Sequence, residues 1–459
     1  MSVQRDAIAV FLATLVIVDL ASAQVVSINQ GLVTVTGTNA GETILVSQVA
    51  NQIIVDIDGN QTPFDADQVE EISINALGGN DTITVNVNRP TTILGGAGND
   101  TITGSDGGAD FVIGEQGADT FSGRGGDDTF IWNPGDGNDI IDGNDGNDTH
   151  VFNGSAGNEI MAVAPNGARV LLTRNLGNIV MDIGTFENIT INALGGDDTV
   201  SGAPGLAALV ELLTLDGGDG NDILNGGDGD DLLIGGDGDD TVDGNGGADS
   251  AFLGAGDDVF IWDPGDGSDF VEGEAGFDTL LFNGSAGNEI FDASANGSRL
   301  RFFRNLGNII MDVGTTEQID LRAFGGDDAT TINDLDGTDV TDVIVDAGAG
   351  NDSFVGSSLK ETFLGGDGDD TATMGNGDFF DMGAGIDTLQ FFGTTGFDNI
   401  HVDAKTNGPH DKAFFHGTIG NQKAVFENGE IVTVFTQGGD DKVKVHTKAA
   451  NLWDVQIVQ

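Results

Sequence analysis

The residues best suited to chemistry are aspartates that recur every nine residues between Gly217 and Leu281. The stretch contains GGDGNDILN, GGDGDDLLI and GGDGDDTVD, so each unit opens with glycines, carries an aspartate at its sixth position and ends in apolar or β-forming residues. We expect glycines at the first, second or fourth position to supply the positive φ angles that a tight turn needs. Aspartate oxygens and turn carbonyls together make all-oxygen sites, which suit a hard cation with six to eight ligands. The spacing therefore predicts a series of Ca²⁺ sites rather than Zn²⁺ or Cu²⁺ sites.

Each nine-residue unit predicts a six-residue turn followed by a three-residue strand. Such a unit is too short to bury a core alone, so we expect the units to stack as a solenoid. Two units complete one coil, which would place Asp222 above Asp240 and Asp258 on one edge and Asp231 above Asp249 on the other. Without bound cations these columns of carboxylates would repel one another strongly.

The pattern G-G-x-G-x-D-x-U-x resembles the repeats-in-toxin (RTX), or haemolysin-type, calcium-binding nonapeptide. The resemblance implies a parallel β-roll in which Ca²⁺ lies between stacked turns, held by the sixth-position aspartate and by backbone carbonyls. It also implies that the third-position side chains of Asp219, Asp228 and Asp237 are solvent charges rather than ligands.

Sixth-position residues occur in three blocks, and the spacing slips to ten and to eleven residues within the first. The candidate metal ligands are Asp100, Asp110, Asp119, Asp128, Asp139, Asp148, Asp222, Asp231, Asp240, Asp249, Asp258, Asp269, Asp278, Asp352, Asp370 and Asp387. In the third block Glu361 replaces one sixth-position aspartate and Phe379 occupies another sixth position, so we expect fewer sites there. Pairs one coil apart predict about ten calcium ions in all.

The composition limits the possible partners. The chain has 459 residues with 75 Asp and Glu against 16 Lys and Arg, a formal charge of −59. Such a chain does not attract nucleic acid or anionic lipid by its own field, and bound cations would relieve its self-repulsion. It contains no cysteine, so disulfides cannot stabilise it and metal ions are favoured as the stabilising element.

The first 23 residues predict a secretory signal peptide, because an apolar run from Ala7 to Val18 precedes the small-residue pattern at residues 21–23. A buried first strand and an uncleaved anchor stay open as alternatives. No later stretch predicts a membrane span. Many proteins with RTX repeats carry an uncleaved C-terminal export signal instead, so the export route stays open, while a secreted, extracellular or cell-surface location is expected.

A long unit of the chain is duplicated with one constant offset. Phe130 to Trp132 returns as Phe260 to Trp262, and the segment beginning at Phe152 returns from Phe282. Each copy joins a nonapeptide block to a glycine-poorer segment with hairpin turns such as Asn296-Gly297. The sequence predicts an all-β parallel β-roll or β-solenoid interleaved with antiparallel strand modules. The predicted segments after the signal are 24–94 (strand module), 95–151 (block 1), 152–215 (strand module), 216–281 (block 2), 282–345 (strand module), 346–391 (degenerate block 3) and 392–459 (C-terminal cap).

Two groups of residues allow a second interpretation. Trp132 and Trp262 could stack on carbohydrate, but we favour apolar plugs over a coil bulged by the eleven-residue spacing. The arginines could grip an anionic polymer, but we favour a solvated hairpin face that pairs with nearby acids; they are Arg169, Arg174, Arg299, Arg301 and Arg304.

The sequence contains no cysteine, G-x-S-x-G or H-E-x-x-H starting point for hydrolase chemistry, and its histidines have no metal-site spacing. We therefore expect a secreted calcium-binding repeat protein that is not an enzyme and serves as a structural or adhesive component of the cell surface or extracellular matrix, with extracellular polysaccharide or the cell surface as partner. The alternative is a catalytic or non-catalytic part of a polysaccharide epimerase or lyase.

Overall fold

The computed structural model describes residues 24–373, 378–392 and six strands beyond residue 398; the predicted signal peptide lies outside the described residues. The chain winds into coils of two short strands, and apolar side chains of alternating residues point into one core between two sheets. Leu233, Val242 and Ala251, in three successive half-coils, are all fully buried. The predicted all-β solenoid is confirmed.

The first sheet is an open ladder of 21 strands within the described residues. In spatial order they are β1 (Val25–Asn29), β2 (Leu32–Thr38), β6 (Glu71–Leu77), β8 (Thr91–Leu94), β10 (Asp110–Ile113), β12 (Thr129–Trp132), β14 (Thr149–Ser155), β18 (Asn188–Leu194), β20 (Leu212–Asp219), β22 (Leu232–Asp237), β24 (Ser250–Ala255), β26 (Phe270–Ala275), β30 (Ile309–Gly314), β29 (Arg299–Arg304), β28 (Ile290–Asn296), β32 (Ala329–Ile332), β34 (Ser353–Val355), β36 (Thr371–Thr373), β38 (Thr388–Phe392), β42 (Ile431–Phe435) and β44 (Asp454–Val458).

The second sheet pairs 23 described strands in the same manner. In spatial order they are β5 (Asn60–Asp65), β4 (Gln52–Ile57), β3 (Thr43–Val49), β7 (Thr82–Asn86), β9 (Thr101–Thr103), β11 (Thr120–Gly125), β13 (Ile140–Asp145), β17 (Ile179–Gly184), β16 (Arg169–Arg174), β15 (Ile160–Asn166), β19 (Thr199–Gly202), β21 (Ile223–Asn225), β23 (Thr241–Asp243), β25 (Val259–Trp262), β27 (Thr279–Asn283), β31 (Gln318–Arg322), β33 (Asp342–Asp346), β35 (Lys360–Leu364), β37 (Phe379–Asp381), β41 (Lys423–Glu427), β40 (Asp411–Gly417), β39 (Asn399–Thr406) and β43 (Lys442–Val445).

The parallel register gives the length of a coil directly. Leu233 in β22 pairs with Ala251 in β24, so one regular coil equals two nine-residue units, as the spacing predicts. Phe130 in β12 pairs with His150 in β14, a longer coil in which the eleven-residue spacing adds two residues to the turn. Extra residues therefore leave the parallel register intact because the turn absorbs them.

The described residues form four antiparallel meanders of three strands. Three of them interrupt the parallel ladders, and the first, β3–β5, forms the edge of the second sheet. The four meanders are β3–β5, β15–β17, β28–β30 and β39–β41. In the second meander, for example, β17 pairs in parallel with the preceding β13 and β15 with the following β19. The predicted antiparallel modules are therefore present as extra strands, which are inserted between coils or, for β3–β5, added at the edge of a sheet.

The duplicated copies lie in opposite sheets. Strand β15 of the first copy belongs to the second sheet, whereas its counterpart β28 in the second copy belongs to the first sheet. The chain alternates between the sheets, and the duplicated unit contains an odd number of half-coils. The second copy is therefore turned by half a coil relative to the first.

Short 3₁₀ helices form the remaining regular structure among the described residues: Ala66–Gln68, Leu176–Asn178, Leu206–Ala208 and Leu306–Asn308. No helix in the part of the chain that the structure describes is long and apolar enough to cross a membrane.

Candidate calcium-binding columns

The sixth-position aspartates lie in columns in which each carboxylate accepts a hydrogen bond from the coil before it. The backbone amide of Asp222 donates to Oδ1 of Asp240 over 2.8 Å, and that of Asp240 donates to Oδ1 of Asp258 over 2.7 Å. The same contact joins every pair predicted from the spacing: 100/119, 110/128, 119/139, 128/148, 222/240, 231/249, 240/258, 249/269, 258/278 and 352/370. The predicted stacking is confirmed, and the role of these residues as metal ligands stays a prediction.

The second carboxylate oxygen of these aspartates is buried without a partner. Fifteen of the sixteen candidate ligands have one buried oxygen that no hydrogen bond reaches. The exception is Asp231, whose Oδ2 accepts the amide of Gly227. A buried carboxylate oxygen is costly unless it is paired or coordinates a metal. Repetition of this cost along each column favours the binding of a cation there.

The unpartnered oxygens face backbone carbonyls above the first glycine of each repeat. A Cβ atom added to Gly217 would lie 2.3 Å from Oδ2 of Asp222 and 2.7 Å from the carbonyl oxygen of Gly235 in the next coil. Carboxylate and carbonyl oxygens thus converge in a space kept open by the missing side chain. Such an oxygen-only ligand set fits Ca²⁺.

The first-position glycine differs from the sequence-based expectation. We expected glycines at the first, second or fourth position to supply positive φ angles. In the repeat at Gly217, the left-handed residues are the second and fourth, Gly218 (φ +96°) and Gly220 (φ +134°). Gly217 is required for space instead, because its Cβ would collide with the carboxylate of Asp222.

Burial and neighbouring negative charges disfavour the ionised form of the column carboxyl groups when no cation is bound. The pKa of Asp119 and of Asp249 is raised to about 8, mainly by burial and also by neighbouring column carboxylates, while a backbone hydrogen bond to each carboxylate opposes the shift. Burial raises the pKa of Asp240 to about 7 in the same manner. Protons would therefore compete with a divalent cation for the same oxygens.

Each coil contributes one carboxylate to a column edge. Within the described residues, no group of three or more acidic or histidine side chains gathers at one point. The ligand set available to a cation consists of successive column carboxylates with turn carbonyls.

The columns extend beyond the residues predicted from the spacing. The amides of Asp81, Asp198 and Asp328 donate the same hydrogen bond, to the carboxylates of Asp100, Asp222 and Asp352 respectively. Each ends the recurring phrase G-G-N-D or G-G-D-D, which the sequence analysis did not use as a ligand signal. Glutamates also take part in the described columns. The amides of four of them donate the column hydrogen bond: Glu42, Glu159, Glu289 and Glu361. Two others, Glu187 and Glu317, accept it from the amides of Asp148 and Asp278.

The third block is less degenerate than expected. The amide of Glu361 donates to Oδ1 of Asp378, which is 1% exposed, so Asp378 and not Phe379 occupies the sixth position. The prediction was wrong because this coil is one residue shorter than the regular coil. The same shortening places Asp387 against the amide of Asp370. The last column therefore runs without a gap from Glu289 through Asp387.

Sequence comparison identifies the repeats. The family model of the RTX calcium-binding nonapeptide repeat, which spans four copies, matches residues 90–107, 105–131, 135–158, 214–242, 225–260 and 263–296. This chain carries RTX calcium-binding repeats. A search of the curated proteins found no match. The RTX matches end at residue 296, whereas the column geometry of the RTX turns continues to Asp387.

The fifth position of the RTX repeat carries a second ladder that the sequence analysis missed. Oδ1 of Asn221 accepts the amide of Asp239 over 3.0 Å, and Oδ1 of Asp239 accepts the amide of Asp257 over 2.9 Å. Here the side chain accepts from the following coil, whereas the sixth-position side chain accepts from the preceding coil. The frequent Asn-Asp and Asp-Asp pairs at positions five and six were the available signal.

The third-position aspartates of the RTX repeats do not all behave alike. Asp219 and Asp237 are exposed, as expected. Asp228 is exposed too, but its carboxylate accepts the amides of Gly205 and Ala207 at the start of a 3₁₀ helix, which lowers its pKa. The expectation that Asp228 is only a solvent charge was wrong, because the segment that contains the 3₁₀ helix Leu206–Ala208 folds onto this turn.

The tryptophans are buried plugs. Trp132 is fully buried, stacks on Phe152 with ring centroids 4.2 Å apart and donates its indole N–H to the carbonyl of Gly137. Trp262 repeats these contacts with Phe282 and Gly267. Neither indole face is available to carbohydrate.

The arginines pair with acids, but not all on a solvated face. Arg169 contacts Asp142 and Asp182 on a partly exposed surface. Arg174 and Arg304 are buried, and the expectation of a solvated face was wrong for them.

The predictions for the histidines after residue 398 and for the C-terminal cap lie largely outside the described residues. The described strands β39–β44 extend both sheets.

Proposed function

We propose that this chain is a secreted calcium-binding protein that folds around its ions and serves as a structural or adhesive component of the cell surface or extracellular matrix, in contact with extracellular polysaccharide or the cell surface itself. The observation that carries the proposal is the row of buried, unpartnered carboxylate oxygens facing turn carbonyls. The RTX repeats support the proposal that the chain binds calcium and is secreted.

Calcium supplies the positive charge that the columns lack. Carboxylates such as those of Asp222, Asp240 and Asp258 would hold it, together with the carbonyls above the first-position glycines. The unfolded chain does not assemble these oxygens, so the free energy of ion binding appears as free energy of folding. Extracellular calcium modules bind with dissociation constants of about 10⁻⁴ to 10⁻³ M. Such a protein would be unfolded at the low calcium of the cytoplasm and folded outside the cell.

Circular dichroism during a calcium titration tests the folding part. We expect β-structure to appear cooperatively with Ca²⁺ and poorly with Mg²⁺, which demands tight octahedral geometry and sheds water reluctantly. An unchanged β spectrum in excess chelator would refute calcium-driven folding. The spacing predicts about ten ions.

Antibody labelling of intact native cells tests the location. We expect surface labelling that a chelator reduces, because loss of calcium would unfold the solenoid. Labelling only after permeabilisation would contradict a role at the cell surface.

A further inference from the structure

Within the described residues, four turns carry a buried glutamate instead of an aspartate at the sixth position, and they share one local structure. All four glutamates are at most 4% exposed. Each accepts a hydrogen bond from the hydroxyl of the second-position residue; the pairs are Thr38 and Glu42, Ser155 and Glu159, Ser285 and Glu289, and Ser357 and Glu361. The glutamate turns thus share one recurring local structure and are not random substitutions in the repeat.

The glutamate oxygen reaches the place that the aspartate oxygen occupies elsewhere. A Cβ atom on Gly154 would lie 2.7 Å from Oε2 of Glu159 and 2.5 Å from the carbonyl oxygen of Ala193. At Gly217 the corresponding distances are 2.3 Å to Oδ2 of Asp222 and 2.7 Å to the carbonyl oxygen of Gly235. Carboxylate and carbonyl oxygens meet in the same way at Gly37 and Gly284, so the turns of Glu42, Glu159 and Glu289 keep the arrangement of the aspartate turns. At Gly356 the added Cβ would lie 2.8 Å from Oε2 of Glu361.

In two of these turns a guanidinium group already supplies the positive charge. Arg174 donates from Nε to Oε2 of Glu159 over 3.0 Å, from Nη2 to its Oε1, and from Nη2 to the hydroxyl of Ser155 over 3.1 Å. Arg304 donates from Nε to Oε1 of Glu289 over 2.6 Å. Both arginine side chains are 7% exposed, and neither glutamate retains an unpartnered oxygen.

In the other two turns the charge is missing. Oε2 of Glu42 and Oε2 of Glu361 are buried without a partner, and the described residues place no cation in an ion pair with either carboxylate. Lys360, next to Glu361, is 68% exposed and lies 3.8 Å from Asp342 instead.

The strand register shows why Glu42 lacks an arginine. Arg174 pairs with Met161, two residues after Glu159, across the first hairpin of its meander. Ile57 pairs with Ile44, two residues after Glu42, in the same place of the first meander. An isoleucine therefore stands where the internal cation would be.

We propose that Glu42 and Glu361 form two additional calcium sites, and that Arg174 and Arg304 act as built-in cations that make Glu159 and Glu289 independent of calcium. The proposal deepens the proposed function and rests on it, since the neighbouring aspartate columns must themselves bind calcium. Each glutamate turn needs one positive charge, and the chain provides it internally in two turns and takes it from solution in the other two.

Native mass spectrometry of the full chain at saturating calcium tests this by counting ions, with folding checked by circular dichroism. We expect Glu42→Gln and Glu361→Gln each to lose one ion, and Ile57→Arg to lose one ion by supplying an internal charge. Arg174→Met should gain one ion, because Glu159 becomes available. Glu71→Gln, at an exposed strand position, is the matched control and should keep the wild-type count.

The outcomes separate the two proposals. A wild-type chain without bound calcium would refute the proposed function itself. Wild-type binding with unchanged counts in Glu42→Gln, Glu361→Gln and Ile57→Arg would overturn only the additional sites. Loss of several ions in Glu42→Gln would indicate unfolding of the N-terminal coils. In that case the ion count of Ile57→Arg tests the Glu42 site: loss of one ion supports it, and an unchanged count overturns it. An unchanged count in Arg174→Met would overturn the role of Arg174.

Discussion

The backbone amide of Asp240 donates to Oδ1 of Asp258, one coil later, and Oδ2 of Asp258 remains buried without a partner. At this position one carboxylate oxygen links two coils, and the other has no partner within the protein. We expect the second oxygen to bind a cation, so that one side chain would have both a structural and a metal-binding role.

Asp240→Ala and Asp237→Ala delete one carboxylate each from the same turn. Asp240 belongs to two column contacts, so its loss should raise the calcium midpoint of folding clearly, whereas Asp237 is exposed and its loss should change the midpoint little. Calcium titrations followed by circular dichroism compare the two variants. Equal shifts would mean that the turns attract calcium only as a diffuse acidic surface.

Gly235→Ala should weaken calcium binding more than Gly246→Ala. A Cβ at Gly235 would lie 2.1 Å from the carbonyl oxygen of Leu253 and 2.4 Å from Oδ2 of Asp240, which is where the cation ligands converge. At Gly246 the nearest atom is 3.8 Å away, so alanine there should be neutral or slightly stabilising. Isothermal titration calorimetry measures the affinities, and similar values for the two variants would contradict the assigned cradle.

Acidification should stabilise the calcium-free fold. The pKa values of Asp119, Asp249 and Asp240 are raised by burial to about 8, 8 and 7, so the folded chain binds more protons than the unfolded chain above the ordinary carboxyl range. Stability without calcium should therefore fall as the pH rises through this window, while calcium affinity should rise. Circular dichroism in calcium-depleted buffer between about pH 5 and pH 8 tests the sign, and we expect the β-structure to be greatest at the lower end. More β-structure at the upper end of this range than at the lower end would contradict the prediction.

Native mass spectrometry of the wild-type chain should find many ions. The spacing predicts about ten, and four further aspartate pairs with the same contact raise the expectation to about fourteen at the aspartate turns. These pairs are 81/100, 198/222, 328/352 and 370/387. A count of two or three would show that stacked aspartates do not by themselves define sites.

Trp262→Ala should destabilise the calcium-loaded protein by about 3–5 kcal/mol, because a fully buried ring stacked on Phe282 is removed and leaves a cavity. Phe324, which is 57% exposed, provides the control, and Phe324→Ala should change stability little. Chemical denaturation at saturating calcium measures both. Equal and small losses of stability in both variants would mean that the coil with the long turn tolerates a cavity in place of the Trp262 ring.

The part of the fold and site that follows from sequence is the part determined by local spacing. Nine-residue phasing sets the coil length, so the contact between Asp240 and Asp258 could be predicted without coordinates. Asp378 was missed because one coil is a residue shorter, and spacing alone does not show where a turn absorbs that change. The pairing of Arg174 with Glu159 depends on an antiparallel hairpin that brings together residues 15 positions apart.

The half-coil rotation between the duplicated copies has a geometric consequence for recognition. Because β15 and β28 lie in opposite sheets, equivalent outer surfaces of the two copies point away from each other. Duplication has therefore not doubled the contact area available to one partner on one side. The two matching surfaces face opposite sides of the solenoid, so a single flat partner could contact only one of them at a time.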